Sequence, residues 1–89
     1  MAYRVELTKK ARKQMRKLDR QVALFLTRWM KENLEGCDNP RRYGDSLTGN
    51  HHGQWRYRVG DYRIIAEIQD DKVLIMVVTV GHRREVYGL

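Results

Sequence analysis

This chain is poor in the residues that give many small proteins their chemistry. It has one cysteine, Cys37. That excludes an internal disulfide and a cysteine-based metal site. His51 and His52 are adjacent, with no Cys or His partner at ligand spacing, so no metal is expected. No nucleophile elbow, P-loop or dinucleotide fingerprint occurs, so no cofactor is expected either. No apolar run reaches the ~18–20 residues of a membrane-spanning helix. The first residues, Met1 to Leu7, lack the apolar stretch of a secretory signal. These absences predict a cytoplasmic protein without membrane contact. With 89 residues the chain predicts one domain, 1–89, with a single modest core.

Acidic residues are also in the minority. Eleven Asp and Glu stand against eighteen Lys and Arg, giving a net charge of +7. A small domain with that balance is steered towards polyanions, nucleic acid or an acidic protein among them. The apolar share of 42% is enough for a folded core and argues against disorder.

Tyr3, Val5 and Leu7 alternate with Arg4 and Glu6, the pattern of a half-buried strand. Thr8 is an N-cap candidate for a helix running to Leu18. Its apolar stripe is narrow (Ala11, Met15, Leu18), and the rest of its surface is basic. That surface fits either RNA phosphates or solvent. Asp19 caps a second helix, Arg20 to Leu34, with a broader stripe of Val22, Phe25, Leu26, Trp29, Met30 and Leu34. Trp29 is expected in the core. Gly36 suits the left-handed position past this helix. Two helices with almost no linker predict a helical hairpin. Residues 37–52 read as a long connection, with turn signals at Asn39-Pro40, Gly44, Gly49 and Asn50, and with Leu47 pinning it.

Three strands then follow. Trp55, Tyr57 and Val59 alternate with Arg56 and Arg58, so the two arginines share one face. Gly60-Asp61 is a hairpin turn. Tyr62 to Ile68 alternates again, Asp70-Asp71 turns the chain, and Val73 to Val80 is a near-continuous apolar run, as in a central strand. The expected fold is α+β. A small, twisted, mainly antiparallel four-stranded sheet carries the N-terminal helical hairpin on one face, in the order β-α-α-β-β-β.

The chemistry left to such a chain is that of a metal-free polyanion site. Arg56, Arg58, Arg63, Arg83 and Arg84 stay protonated near neutral pH and cannot act as bases. They can grip a phosphate and stabilise charge that develops on it. A proton acceptor must come from His82, Tyr87 or Glu85, and histidine has the pKa suited to neutral pH. RNA brings its own nucleophile, the 2′-hydroxyl, whereas DNA cleavage would need a protein nucleophile that is not evident.

The series Trp55-Arg56-Tyr57-Arg58-Val59-Gly60-Asp61-Tyr62-Arg63, then Asp71-Lys72-Val73, then Gly81-His82-Arg83-Arg84-Glu85-Val86-Tyr87 resembles the RelE branch of the RelE/ParE toxin superfamily. Arg16-Lys17-Leu18-Asp19 and Pro40-Arg41 extend the resemblance over nearly the whole chain. It implies the toxin of a type II toxin–antitoxin system, an endoribonuclease that cuts mRNA in the ribosomal A site without a metal. It implies Arg63, Arg83 and Tyr87 as catalytic residues and Arg56 and Arg58 as RNA-phosphate contacts; the reading of the residues adds His82 to the catalytic set, as base or acid, and Arg84 to the phosphate contacts. His82 stands where some relatives have Lys. The implied partners are an acidic RelB-like antitoxin, the ribosome with its mRNA, and operator DNA through the antitoxin complex alone. The ParE branch, whose members inhibit DNA gyrase and cleave nothing, shares the scaffold. An inactive relative that only binds a regulator would share it too.

Overall fold

The computed structural model describes residues 2–47 and 53–86. Of the residues singled out above, Gly49, Asn50, His51, His52 and Tyr87 lie outside that set.

The first strand, β1, spans Arg4–Leu7. Helix α1 spans Lys9–Lys17, and the Thr8 hydroxyl accepts the Ala11 N–H at 3.1 Å. Helix α2 spans Arg20–Asn33, capped by Asp19, whose carboxylate accepts the Gln21 N–H at 3.1 Å. Each cap satisfies a backbone donor that the first helical turn leaves orphaned. Beyond α2 the chain reverses through Gly36 at φ +79°, the left-handed conformation expected of it. It then runs beside the outer edge of β1. The Gly36 N–H donates to the Tyr3 carbonyl, the Tyr3 N–H to the Cys37 carbonyl, and the Val5 N–H to Glu35 Oε1. A sheet edge that would otherwise expose its backbone is thereby closed.

The sheet contains five strands, not the four expected. The additional strand, β2, is only Asp45–Ser46. Two residues carry no periodicity, so the sequence gives them no strand signal. They pair antiparallel with β3 (Trp55–Val59), Asp45 opposite Arg56 and Ser46 opposite Trp55. Then follow β4 (Tyr62–Gln69) and β5 (Leu74–His82). The spatial order is β1-β5-β4-β3-β2, with only the β1–β5 pair parallel. A short 3₁₀ turn, Asp70–Lys72, joins β4 to β5. Both helices lie on one face. Leu26, Leu34, Tyr57, Ile64, Ile75, Val77 and Val80 are fully buried there. Burying each aliphatic side chain of that kind contributes about 1.5–3 kcal/mol.

A bulge explains why the apolar run of β5 shows no alternation. Ile65 pairs with Thr79 and Ala66 with Val77, which leaves Val78 unmatched. The extra residue shifts the phase of the strand. As a result Ile75 and Val77 on one side of it, and Val80 on the other, all point into the same core. Gln14 of α1 accepts the Val80 N–H at 2.8 Å, and Thr8 reaches the Val78 carbonyl at 3.5 Å. The helix thus satisfies the strand where the ladder is irregular.

A third helix, α3, was not expected. Its one turn, Arg83–Val86, folds the chain back against β5 and β4. Val86 is buried, and a Cβ added at Gly81 would sit 3.3 Å from its Cγ2. The bare backbone of Gly81 therefore makes room for Val86.

Candidate phosphate-binding face

Strand alternation sorts the side chains of the sheet into two faces. One row across the strands is Val59, Tyr62 and His82; the next is Arg58, Arg63 and Gly81. The first belongs to the helix-covered side, where Val59 is buried. The second belongs to the opposite side, together with Arg56; α3 covers that side at β5, where Val86 packs on Gly81, and the β3 end is left open. Arg56, Arg58 and Arg63 are therefore brought together on one face.

Their shared centre is a residue that sequence reasoning missed. The Asp45 carboxylate accepts from Arg56 Nε at 3.0 Å and from Arg56 Nη2 at 2.6 Å, a two-pronged grip. Arg58 Nη2 lies 3.7 Å from the same carboxylate. The hydrogen bonds from Arg56 hold Asp45 below the usual carboxylate range, and the charges of Arg56, Arg58 and Arg63 act in the same direction. Arg63 also uses Nη1 to donate to the carbonyls of Gly60 and Tyr62, both at 2.9 Å. This anchors it at the hairpin end of the sheet. The sequence held one clue to Asp45: an acid among arginines, directly after a glycine.

Why Asp45 sits there follows from its loop. Gly44 adopts φ +81°, and a Cβ on it would meet the Arg56 carbonyl oxygen at 2.1 Å. Only glycine allows this approach. The Trp55 indole N–H donates to the Tyr43 carbonyl at 2.7 Å. The buried Tyr57 hydroxyl donates to the Pro40 carbonyl at 2.5 Å, and burial pushes its phenol pKa well above the ordinary value. Further along, Arg41 grips Asp70 at 3.1 and 3.0 Å, and the Tyr3 hydroxyl donates to Asp70 at 2.7 Å. The long connection between α2 and β3 is therefore tied to the sheet at several points.

His82 is not brought onto the arginine face. Its ring stands edge-on to Tyr62, with centroids 5.4 Å apart. Its Nδ1 accepts the Arg84 N–H at 3.2 Å, as an N-cap of α3. That leaves the proton of the neutral ring on Nε2. Arg83 begins α3 at the hairpin end; its N–H donates to the Asp61 carbonyl at 2.8 Å, and its Nε lies 4.0 Å from Asp61 Oδ1. Arg83 and Arg84 are both exposed. The expected set thus splits. Arg56 and Arg58 gather at the β2 edge, His82, Arg83 and Arg84 cluster at the sheet end, and Arg63 lies between them. Among the described residues no group of three or more His, Cys, Asp or Glu is arranged to hold a metal ion, and no helix is long and apolar enough to cross a membrane.

Comparison with known proteins agrees with this architecture. A family model described as the ParE toxin of type II toxin–antitoxin systems, parDE, matches residues 5–87. The chain is 33% identical over 91 residues to the mRNA interferase toxin RelE of Escherichia coli, covering 99% of this chain and 93% of that one. It is 28% identical over 87 residues to toxin RelG of Mycobacterium tuberculosis, covering 98% of each. Among solved structures, the RelBE2 toxin–antitoxin complex of Mycobacterium tuberculosis superposes with a TM-score of 0.85 at 26% identity, over 93% of both chains. The chain belongs to the ParE toxin family of type II toxin–antitoxin systems, as one of its RelE-type members.

Proposed function

We propose that this toxin is a metal-independent endoribonuclease that cuts translated mRNA on the ribosome. One observation carries the reading. Arg56 and Arg58 meet on a single carboxylate, with Arg63 on the same sheet face adding its charge, in a chain one-third identical to an mRNA interferase. Guanidinium groups that grip a carboxylate in this way suit a phosphodiester of the same charge, which supports the reading.

In the proposed reaction the 2′-hydroxyl attacks the adjacent phosphorus. The new bond is O2′–P, and the bond that breaks is P–O5′. The proton of the 2′-hydroxyl passes to a base, and O5′ gains a proton as it leaves. The products are a 2′,3′-cyclic phosphate and a 5′-hydroxyl. Arg63 and Arg83 stabilise the additional charge of the pentacoordinate phosphorus, while Arg56, Arg58 and Arg84 hold the neighbouring backbone. His82 exchanges the proton through Nε2, its Nδ1 being engaged by the backbone of α3. For this the RNA must lap over the hairpin end of the sheet, where Arg63, Arg83 and His82 are neighbours. Tyr87 orients the nucleophile or stacks on a base. The ribosome supplies the ordering of mRNA that one open sheet face does not. An acidic antitoxin covers the basic face in the silenced state, and the pair meets operator DNA through the antitoxin. The reaction belongs in the cytoplasm.

A second reading stays in view because the matching family model carries the ParE description. There the protein inhibits DNA gyrase and leaves mRNA whole. Induction in cells, with mapping of mRNA 5′ ends, separates the two. In-frame cuts confined to translated messages, ending in a 5′-hydroxyl, support the nuclease. Intact mRNA with gyrase-linked DNA damage supports the alternative. A 3′-hydroxyl on the upstream product would refute attack by the 2′-hydroxyl.

A further inference from the structure

Beside the arginine face, at the β2 edge of the sheet, lies an open recess of about 380 Å³ lined by Trp29, Tyr43, Gly44, Asp45 and Arg58. That volume is at the lower end for a small-molecule site. We propose that this recess is a nucleobase subsite: it takes one unstacked base of single-stranded RNA, stacked on Tyr43, while Arg58 at its rim holds the adjoining phosphate. The proposal rests on the nuclease reading and adds where a base is bound.

Three observations carry it. First, Tyr43 is 42% exposed, one of three large apolar side chains left open among the described residues. The other two, Leu24 and Phe25, lie on α2; Tyr43 alone borders the arginine cluster. Second, the wall behind it is fixed. Trp29 meets the Tyr43 ring edge-on at 6.0 Å and leans on the buried Tyr57 at 5.7 Å. A π-face held beside a cationic rim is how proteins bind single strands, because every base offers a stacking surface. Third, charge sorts the ligand. The Asp45 carboxylate at the recess repels a phosphate, and it accepts an N–H from the edge of a neutral base. The exposed Arg58 guanidinium attracts the phosphate to the rim instead.

Tyr43 can be changed without unfastening the loop, since Trp55 bonds to its backbone carbonyl and not to its ring. The test uses a 2′-O-methyl oligonucleotide of about six residues, within the span that one single-strand-binding domain covers. It resists 2′-hydroxyl cleavage. Binding at low salt is followed by fluorescence anisotropy for the unaltered protein and for Tyr43→Ala, Tyr43→Phe and Tyr43→Leu. The oligonucleotide is also made with an abasic residue at each position in turn. Tyr43→Ala and Tyr43→Leu are expected to weaken binding about 5- to 100-fold, the span of one base–aromatic stack. Tyr43→Phe should stay within about twofold. One abasic position should cost the unaltered protein a similar factor and cost Tyr43→Ala nothing more. Binding by Tyr43→Leu within about twofold of the unaltered protein, or a Tyr43→Ala loss that persists at every abasic position, overturns the subsite while RNA binding stands. No binding of any oligonucleotide by the unaltered protein overturns the subsite, whereas the nuclease reading falls separately, if mRNA stays intact on induction in cells.

Discussion

Replacing Asp45 with asparagine should make the protein bind RNA more tightly. The carboxylate sits 3.7 Å from Arg58 and 2.6 Å from Arg56, where the arginine cluster would otherwise meet a phosphate. A phosphate on Arg58 is a second anion near this carboxylate. Taken at about 6 Å, with an effective dielectric between about 20 for a surface pair and about 80 for water, their repulsion is about 0.7–2.8 kcal/mol. Asparagine removes the charge and keeps an oxygen for Arg56. The expected gain in affinity is therefore about 3- to 100-fold. The slope of log affinity against log salt should steepen by about 0.7, one more phosphate neutralised on a single strand. Titrating a non-cleavable single-stranded oligonucleotide between about 50 and 200 mM salt measures both. Some folding stability is lost along with the ion pair. At this exposure the loss is below about 1 kcal/mol and is measured separately by denaturant melting. A folded Asp45→Asn protein whose affinity is unchanged or lower, with the same salt slope, would refute the reasoning. It would mean that Asp45 helps by holding Arg56 in place more than it hinders by its charge.

Arg63→Ala and Arg83→Ala should each reduce mRNA cleavage by about 10²- to 10³-fold, the usual effect of removing one oriented donor to a developing oxyanion. Lysine at either position should recover part of this, since charge returns without the planar fork; rates at the unaltered level in both alanine variants would remove these residues from the site. Leu26→Ala empties a fully buried position and should cost about 2–5 kcal/mol by urea denaturation, without altering the oligonucleotide affinity of the folded fraction. The stability of the fold should also have an acid limb. Asp45 and Asp70 are both held below the ordinary carboxylate range, Asp45 first by hydrogen bonds from Arg56 and Asp70 first by those from Arg41 and then from Tyr3. A depressed folded pKa gives stability that is present above the unfolded value of about 3.9 and is lost as pH falls through the folded one. Melting temperature measured from pH 6 down to pH 2 should drop below about pH 4, and an Asp45→Asn, Asp70→Asn double variant should show a shallower drop.

Much of this fold was legible because alternation and helical spacing report burial directly. Thr8 and Asp19 announced the two helices, and the rows Trp55-Tyr57-Val59 and Arg56-Arg58 announced a sheet with one covered and one open face. What escaped notice lacked a period. Asp45–Ser46 is too short to alternate, and its pairing depends on Gly44 passing close to Arg56, a contact across eleven positions or more of sequence. The Val78 bulge was hidden inside an apolar run that reads the same in either phase. Helix α3 escaped because a single turn has no stripe. Its reason to form is the space above Gly81 that Val86 fills.

The position of His82 has the same origin. Proximity in sequence suggested that His82, Arg83 and Arg84 would act with Arg63. Register allows this only across the hairpin end: Arg63 lies opposite Gly81, and His82 lies opposite Tyr62, one residue on and hence on the other face. A one-residue offset on a strand is a change of side, so a group of neighbours in sequence is divided between the two faces and the end of the sheet. The arginines of that face are instead held by two anchors, Asp45 from across the loop at one edge and the nearby Gly60 carbonyl at the hairpin. Both anchors have fixed conformations, Asp45 in β2 through Gly44 and the Tyr57–Pro40 hydrogen bond, Gly60 through the β3–β4 ladder it closes. The cations are therefore held in place in the free protein, and under the nuclease reading proposed above, preorganised donors of that kind lower a barrier without having to be ordered at the moment of reaction.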